Sequence, residues 1–184
     1  MDELSHKSAT ELAGLIRDRK LSSRELLDHY IDRIERLNPP VNAVVTLDVE
    51  RARKRASALD ERLMREGPVG PLHGLPMTIK DAYEVAGVRS TGGIPELTSH
   101  VPKNNALIVQ RLHDAGAVIF GKTNVPAHSA DLQTFNEIFG TTNNPHALDR
   151  TPGGSSGGAA VAVACGFTAL ELGSDIGGSI RNPS

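Results

Sequence analysis

Two stretches of this 184-residue sequence place serines among glycines. "TPGGSSGG" runs from Thr151 to Gly158 and "SDIGGSIR" from Ser174 to Arg181. Glycine loses more backbone freedom on folding than any other residue, so such loops need a reason to exist. In the second stretch two glycines precede Ser179, leaving consecutive backbone amides free to converge beside its hydroxyl, which is the makeup of an oxyanion hole. A serine nucleophile requires a base. None of the seven histidines lies in a nucleophile-elbow context. A lysine kept neutral by burial is the other known solution, because desolvation lowers an amine's pKa towards working pH. Lys80, ending "LPMTIK", and Lys122, following "VIFG", compete for that part. An isolated strand-end lysine is ordinarily a surface group with a buried stem, and periodicity does not choose between these two.

Two simpler explanations of the first stretch fit less well. A phosphate cradle needs a lysine after the glycines or the G-x-G-x-x-G spacing, and neither is present. A flexible linker runs into polar sequence, whereas this one runs straight into the apolar "AAVAVAC".

The elements that must position these residues fall into two textures. Ser8 with Glu11, and Ser22 with Glu25, each match a capping box and predict two helix starts. In the second helix Leu26, Leu27, Tyr30, Ile31, Ile34 and Leu37 recur at helical spacing, and "NPP" at Asn38 to Pro40 is expected to stop it. A charged helix follows from about Val49 to Glu66, its basic residues forming a solvated face. "GPVGP" then marks a boundary. Beyond it "LPMTIKD" reads as a strand, "ALIVQRLHDAG" as an amphipathic helix closed by Gly116, and "AVIFGKTN" as a strand. "GGAAVAVACG" suits a short helix that approaches a sheet closely, and "TALELGSD" a further strand. This alternation predicts an α/β fold, a mixed and largely parallel sheet flanked by helices, with chemistry on loops at the strand ends. Residues 1–66 are expected to form an amino-terminal helical region packed on an α/β core of residues 67–184.

Composition bounds the partners. With 39% hydrophobic residues, 23% charged residues and a net charge of −2, the chain fits a soluble globular protein. That balance exerts no long-range pull on nucleic acid or anionic lipid, and 3% aromatic residues leave few platforms for stacking bases. The polar, acidic start "MDELSHKSATELAG" and the lack of any apolar run of spanning length predict a cytoplasmic protein without membrane contact. The single cysteine, Cys165, reads as a small buried hydrophobe.

"GLPMTIKD" (Gly74 to Asp81), "GGSSGG" (Gly153 to Gly158) and "DIGGSIR" (Asp175 to Arg181), in that order, resemble the amidase signature family of serine hydrolases. The likeness extends through "GKTN" and "FGTTNNP" over essentially the whole chain. It implies a Ser-cisSer-Lys triad of Lys80, Ser155 and Ser179, with Ser179 as nucleophile, Ser155 as proton relay and a cis peptide bond between Gly154 and Ser155. Lys122 would then be structural. The amides of Ile176, Gly177, Gly178 and Ser179 would hold the oxyanion, Ser156 would support the site or cap the following helix, and Asp175 and Arg181 would brace the loop. The implied reaction hydrolyses a small-molecule amide to an acid plus ammonia or an amine, with no metal or organic cofactor.

The family includes general amidases, fatty-acid amide hydrolases, peptide amidases and the amidase subunit of glutamine-dependent aminoacyl-tRNA amidotransferases. Ile176 favours a stand-alone amidase, since the amidotransferase subunit more often carries threonine there. His146 stands where relatives commonly show tryptophan. Family members continue for more than this length again, so the resemblance implies an amino-terminal portion with little or no hydrolysis of its own. That leaves open a homodimer or a missing carboxy-terminal portion as partner, and a catalytically inert scaffold as a reading of another class.

Overall fold

A computed structural model describes residues 2–184. Both capping boxes form. Ser8 and Glu11 satisfy each other's backbone amides at the start of α1 (Ala9–Arg17), and Ser22 and Glu25 do so at the start of α2 (Ser23–Val41). The second helix does not stop at "NPP" but passes through Pro39 and Pro40 to Val41. The reason is positional. The prolines lie in the last turn, where the ring's φ suits a helix and the bonds they forfeit would have gone to carbonyls of the exposed Glu35 and Arg36, which water can satisfy. Asn42, in the left-handed conformation (φ 49°, ψ 48°), ends the helix. The Asn38 side chain then accepts from the amides of Ala43 and Val44 at 2.9 Å each and turns the chain into a strand. Leu26, Leu27, Tyr30, Ile31 and Ile34 are buried, but Leu37 is 38% exposed, because the apolar face stops where the helix leaves the core.

That strand is β1 (Val44–Leu47), a short element without a sequence signal of its own. The charged helix α3 (Val49–Glu66) follows as its spacing predicts. Its basic face is more than solvated. Arg55 donates to the carbonyls of Ala117 and His113 at 2.9 and 2.7 Å, Arg51 to Ala86 at 2.6 Å, and Arg53 to Asp28 at 2.7 Å, fastening the helix to its neighbours.

The remaining alternation appears as read in β2 (Pro76–Lys80), α4 (Leu107–Asp114), β3 (Val118–Thr123), α5 (Gly157–Ala164) and the last strand, Glu171–Leu172; between β3 and α5 lies an unpredicted hairpin of two-residue strands, β4 (Phe135–Asn136) and β5 (Gly140–Thr141), which makes the last strand β6. The sheet order is β1-β3-β2-β6, with β2 parallel to both β3 and β6 and β1 antiparallel to β3. It is mixed and largely parallel. Helices cover both faces: Val118 and Phe120 join the large core beneath α1, α2, α3 and α5, while Ile79 and Ile119 pack with Val109 of α4 on the other side. The amino-terminal helices and the sheet thus share one core, and β1 places part of residues 1–66 within the sheet itself. Among the described residues no helix is long and apolar enough to cross a membrane.

In α5, Gly157, Gly158, Ala159, Val161 and Ala162 are buried against the sheet. Val163 is 47% exposed, so the apolar helix has one uncovered side, and Cys165 at its end is only half-buried. A Cβ on Gly158 would overlap main-chain atoms of Asn124 and lie 3.0 Å from the Ala43 carbonyl, whereas one on Gly14 in α1 would meet nothing nearer than the Arg17 guanidinium at 3.8 Å. Gly158→Ala is therefore expected to cost about 2 kcal/mol or more, and Gly14→Ala to add about 0.5–1 kcal/mol, in urea unfolding. Equal effects of the two substitutions would contradict this packing.

Candidate active site

Strand register separates the two candidate lysines. Paired residues on adjacent strands share a face, and successive residues on one strand alternate. Lys122 pairs with Ile79 and so lies on the α4 side; Lys80 pairs with Thr123 and lies on the α5 side, with Thr78 and its partner Glu171. Lys122 is buried and fully engaged, donating to Asp81 Oδ1 at 2.8 Å, Tyr83 O at 2.7 Å and Ser90 Oγ at 2.9 Å. Asp81 also accepts from the amide and hydroxyl of Thr91 at 3.0 and 2.7 Å. It is a paired buried charge inside a closed network.

Lys80 is equally buried and has no carboxylate partner in hydrogen-bond contact. Its Nζ donates to Ser155 Oγ at 2.6 Å and to Ser174 Oγ at 2.8 Å. Ser155 comes from the loop before α5 and Ser174 from the turn after β6, so the end of β2 collects one hydroxyl from each glycine-serine stretch. Burial pushes the Lys80 amine down to about 8, and the nearby negative charge of Asp175 opposes that shift. About a tenth of the amine is then neutral at pH 7.

The loop around Ser155 is anchored from several sides. The Gly154–Ser155 peptide is cis, and Gly153 has a φ of 86° that suits only glycine. Thr134 Oγ1 donates to Gly153 O at 2.9 Å and accepts from Gly157 N at 3.2 Å, bridging both ends of the loop. Gly154 N donates to Asn182 Oδ1 at 3.2 Å. Ser156 occupies the cap position of α5, yet its side chain makes no capping bond. Its hydroxyl instead donates to Ser174 O at 3.2 Å and accepts from Ser174 N at 3.3 Å, tying the two glycine-serine segments together.

Ser179 joins the assembly through its backbone: its carbonyl accepts from Ser156 N at 3.1 Å. Among the described residues its hydroxyl has no hydrogen-bond partner, and the amides of Ile176, Gly177 and Ser179 donate to none. The Gly178 amide is not free in the same way, because it donates to Asp175 Oδ1 at 2.8 Å. Asp175 further accepts from the amides of Ile180 and Arg181 at 2.9 and 3.1 Å and pairs with the Arg181 guanidinium, with Nη2 2.8 Å from Oδ1. The guanidinium first, and these amides next, hold the Asp175 carboxyl far below the usual carboxylate range.

Two residues here escaped sequence reading. Ser174 lies inside a motif noted for its glycines, and only the fold shows its hydroxyl on Lys80. Glu171 reads as part of an apolar strand; its one signal is an acidic residue between Leu170 and Leu172. Its carboxyl accepts from Thr78 Oγ1 and, at 2.8 Å, from Thr123 Oγ1. Burial pushes it up to about 8 against the pull of those hydroxyls and of Lys122. Glu171 also lines a cavity of about 650 Å³ together with Ser156, Ala160, Val163, Gly173 and Ile180. His146 lies at the rim of that cavity with an exposed side chain.

The model of the Amidase family matches residues 25–184. The chain belongs to the amidase family. A glutamyl-tRNA(Gln) amidotransferase subunit of Acidothermus cellulolyticus is 41% identical over 184 residues, all of this chain and 36% of that protein. A fatty acid amide hydrolase superposes with a TM-score of 0.93 at 33% identity, covering 98% of this chain and 32% of that one. A bacterial aryl acylamidase of the amidase signature family gives 0.90 at 39% identity, covering 96% and 37%. The chain thus spans about a third of the length of these relatives, 32–37%, and it carries the fold of the two solved ones over almost all of its own.

The two perturbed groups have opposite linkage. Glu171 keeps, between its ordinary 4.5 and about 8, a proton that the unfolded chain has released, so its contribution is present below 4.5 and is lost as pH rises through that window. Lys80 lacks, between about 8 and its ordinary 10.5, a proton that the unfolded chain holds, so its contribution grows with pH there. In urea unfolding across pH, the stability of the wild type minus that of Glu171→Gln is expected to fall between 4.5 and 8, and wild type minus Lys80→Met to rise between 8 and 10.5. Flat differences would refute these protonation states.

Proposed function

We propose that this chain carries the Ser-cisSer-Lys machinery of an amidase acting on a small-molecule carboxylic amide, with Ser179 as nucleophile, Ser155 as relay and Lys80 as base. The observation that supports it most directly is the fully buried Lys80 amine, 2.6 Å from the Ser155 hydroxyl and held without a carboxylate partner in contact. Such an amine is a base near neutral pH. Lys122, paired with Asp81, is not available for this role.

In the forward step Ser179 Oγ bonds to the amide carbon while its proton passes to Ser155, whose own proton passes to neutral Lys80. The carbonyl electron pair moves onto oxygen, where the amides of Ile176, Gly177 and Ser179 are the unoccupied donors, and Gly178 joins them if Asp175 releases it. Collapse of that intermediate breaks the C–N bond, and the leaving nitrogen takes its proton back along the same path. Water then attacks the acyl-enzyme by the same relay and releases the acid. Ser156 holds the two segments in register, and Asp175 with Arg181 stiffens the turn that carries Ser179. No step draws on a metal or an organic cofactor.

A second reading is favoured by the relatives that are glutamyl-tRNA(Gln) amidotransferase subunits, at 40–43% identity. In it the amide is glutamine and the released ammonia is used by a partner. Ammonia release from glutamine that appears only when tRNA-binding subunits are added would favour this second reading; hydrolysis of simple amides by a complemented chain without them would favour the first.

Reactivity of Ser179 tests the shared part of both. A fluorophosphonate is expected to modify the 184-residue chain at Ser179, with no labelling in Ser179→Ala and labelling slowed about 100-fold or more in Lys80→Ala, the usual scale of a lost general base. Peptide mapping that finds the adduct on any other serine would overturn the assignment.

A further inference from the structure

The strand that brings Ser174 to Lys80 is weakly held by its backbone alone. β6 is two residues long and pairs with β2 only, through Thr78 with Glu171 and Ile79 with Leu172. A two-residue strand at a sheet edge has little cohesion of its own. Glu171 supplies a further tie. Its carboxyl accepts from Thr78 on β2 and reaches across that strand to Thr123 Oγ1 on β3 at 2.8 Å, linking three strands on the face that carries Lys80. Three residues further on, Ser174 meets the Lys80 amine at 2.8 Å, and its backbone is gripped by Ser156.

The geometry points to Glu171 as a positioning residue for the Lys80 amine: by fastening β6 across β2 to β3, it keeps the Ser174 turn over Nζ and water away from it. The inference deepens the amidase reading and rests on Lys80 as the base. Its chemistry is consistent with that role. A carboxylate on this face would favour the ammonium form of Lys80, whereas a carboxyl that retains its proton fastens the strand without adding charge. The charged group that bears on it is Lys122, whose field acts through the sheet; Lys80 lies on the same face two residues beyond Thr78, and α5 presents no titratable side chain to it.

Loss of the tie should raise the Lys80 pKa. Lifting the turn admits water, which favours the ammonium form, and withdraws Asp175, which disfavours it; the burial effect is the larger of the two in the folded protein, so the net shift is upward. The measurement is an NMR titration of the Lys80 side chain in the intact 184-residue chain with labelled lysine, assigned by the signal lost in Lys80→Met. Glu171→Gln can donate to one threonine and accept from the other, and is expected not to raise the titration; it removes only the charge that Glu171 gains as it ionises at about 8, and that removal acts downward. Glu171→Val, which keeps strand propensity and removes both bonds, is expected to raise it by about one unit or more.

A Lys80 titration unchanged in Glu171→Val, or raised as far in Glu171→Gln, overturns the inference. Should Glu171→Val not fold, Thr123→Val removes only the β3 arm with little change of shape; a smaller upward shift supports the inference and an unchanged value overturns it. The readout does not use Ser179. Failure of fluorophosphonate labelling with the Glu171 effect intact would therefore count against the hydrolase reading and leave the fastening role standing.

Discussion

The structure turns on one buried amine. An ammonium removed from water either finds a counter-charge or holds its proton less tightly, and this chain contains both solutions on adjacent strands. On one face of the sheet burial also pushes the Lys122 amine down, but its ion pair with Asp81 opposes that shift. Lys80, on the other face, meets only the hydroxyls of Ser155 and Ser174, so desolvation prevails and the amine becomes basic in the useful range. The lysines have nearly identical strand-end settings. What separates them is the carboxylate within reach.

Holding those hydroxyls on Lys80 explains much of the surrounding design. The parallel pairing of β2 with β6 directs the turn after β6 to the end of β2, and the glycines of α5 let that helix lie so close to β3 that Gly158 has no room for a side chain. Thr134 bridges the Ser155 loop, and Ser156 joins it to Ser174. Each of these groups is a short side chain bonded to backbone, which holds an irregular loop without desolvating further charge.

The Ser179 side of the site is built differently. Asp175 gathers three amides and the Arg181 guanidinium into a compact turn, but the turn is exposed, with Ile176 fully open to solvent, and α5 and Ile180 border an open apolar cavity. Solved relatives about three times as long share the fold over 96–98% of this chain. The Lys80 and Ser155 side of the site is enclosed by these residues, and the Ser179 side is open to solvent.

Much of this was legible in the residues. Both capping boxes, the bounds of α3, the strand-helix-strand order around Lys80 and the largely parallel sheet follow from local signals: reciprocal side-chain to backbone bonds, apolar period and turn chemistry. The three glycine-serine and lysine motifs likewise carried the family likeness. Local signals failed where the outcome depends on neighbours. Pro39 and Pro40 end no helix because the carbonyls they deprive face water; β1 exists because Asn38 turns the chain onto β3; and the charges of α3 become fasteners because backbone carbonyls lie opposite them. The same holds within the site. Spacing left two equivalent lysines, told apart only by the family likeness, and an unremarked glutamate; the physical difference came from register, which puts Lys80, Thr78, Thr123 and Glu171 on one face and Lys122 on the other, since a side chain's proton affinity is set by what packs around it and not by its position along the chain.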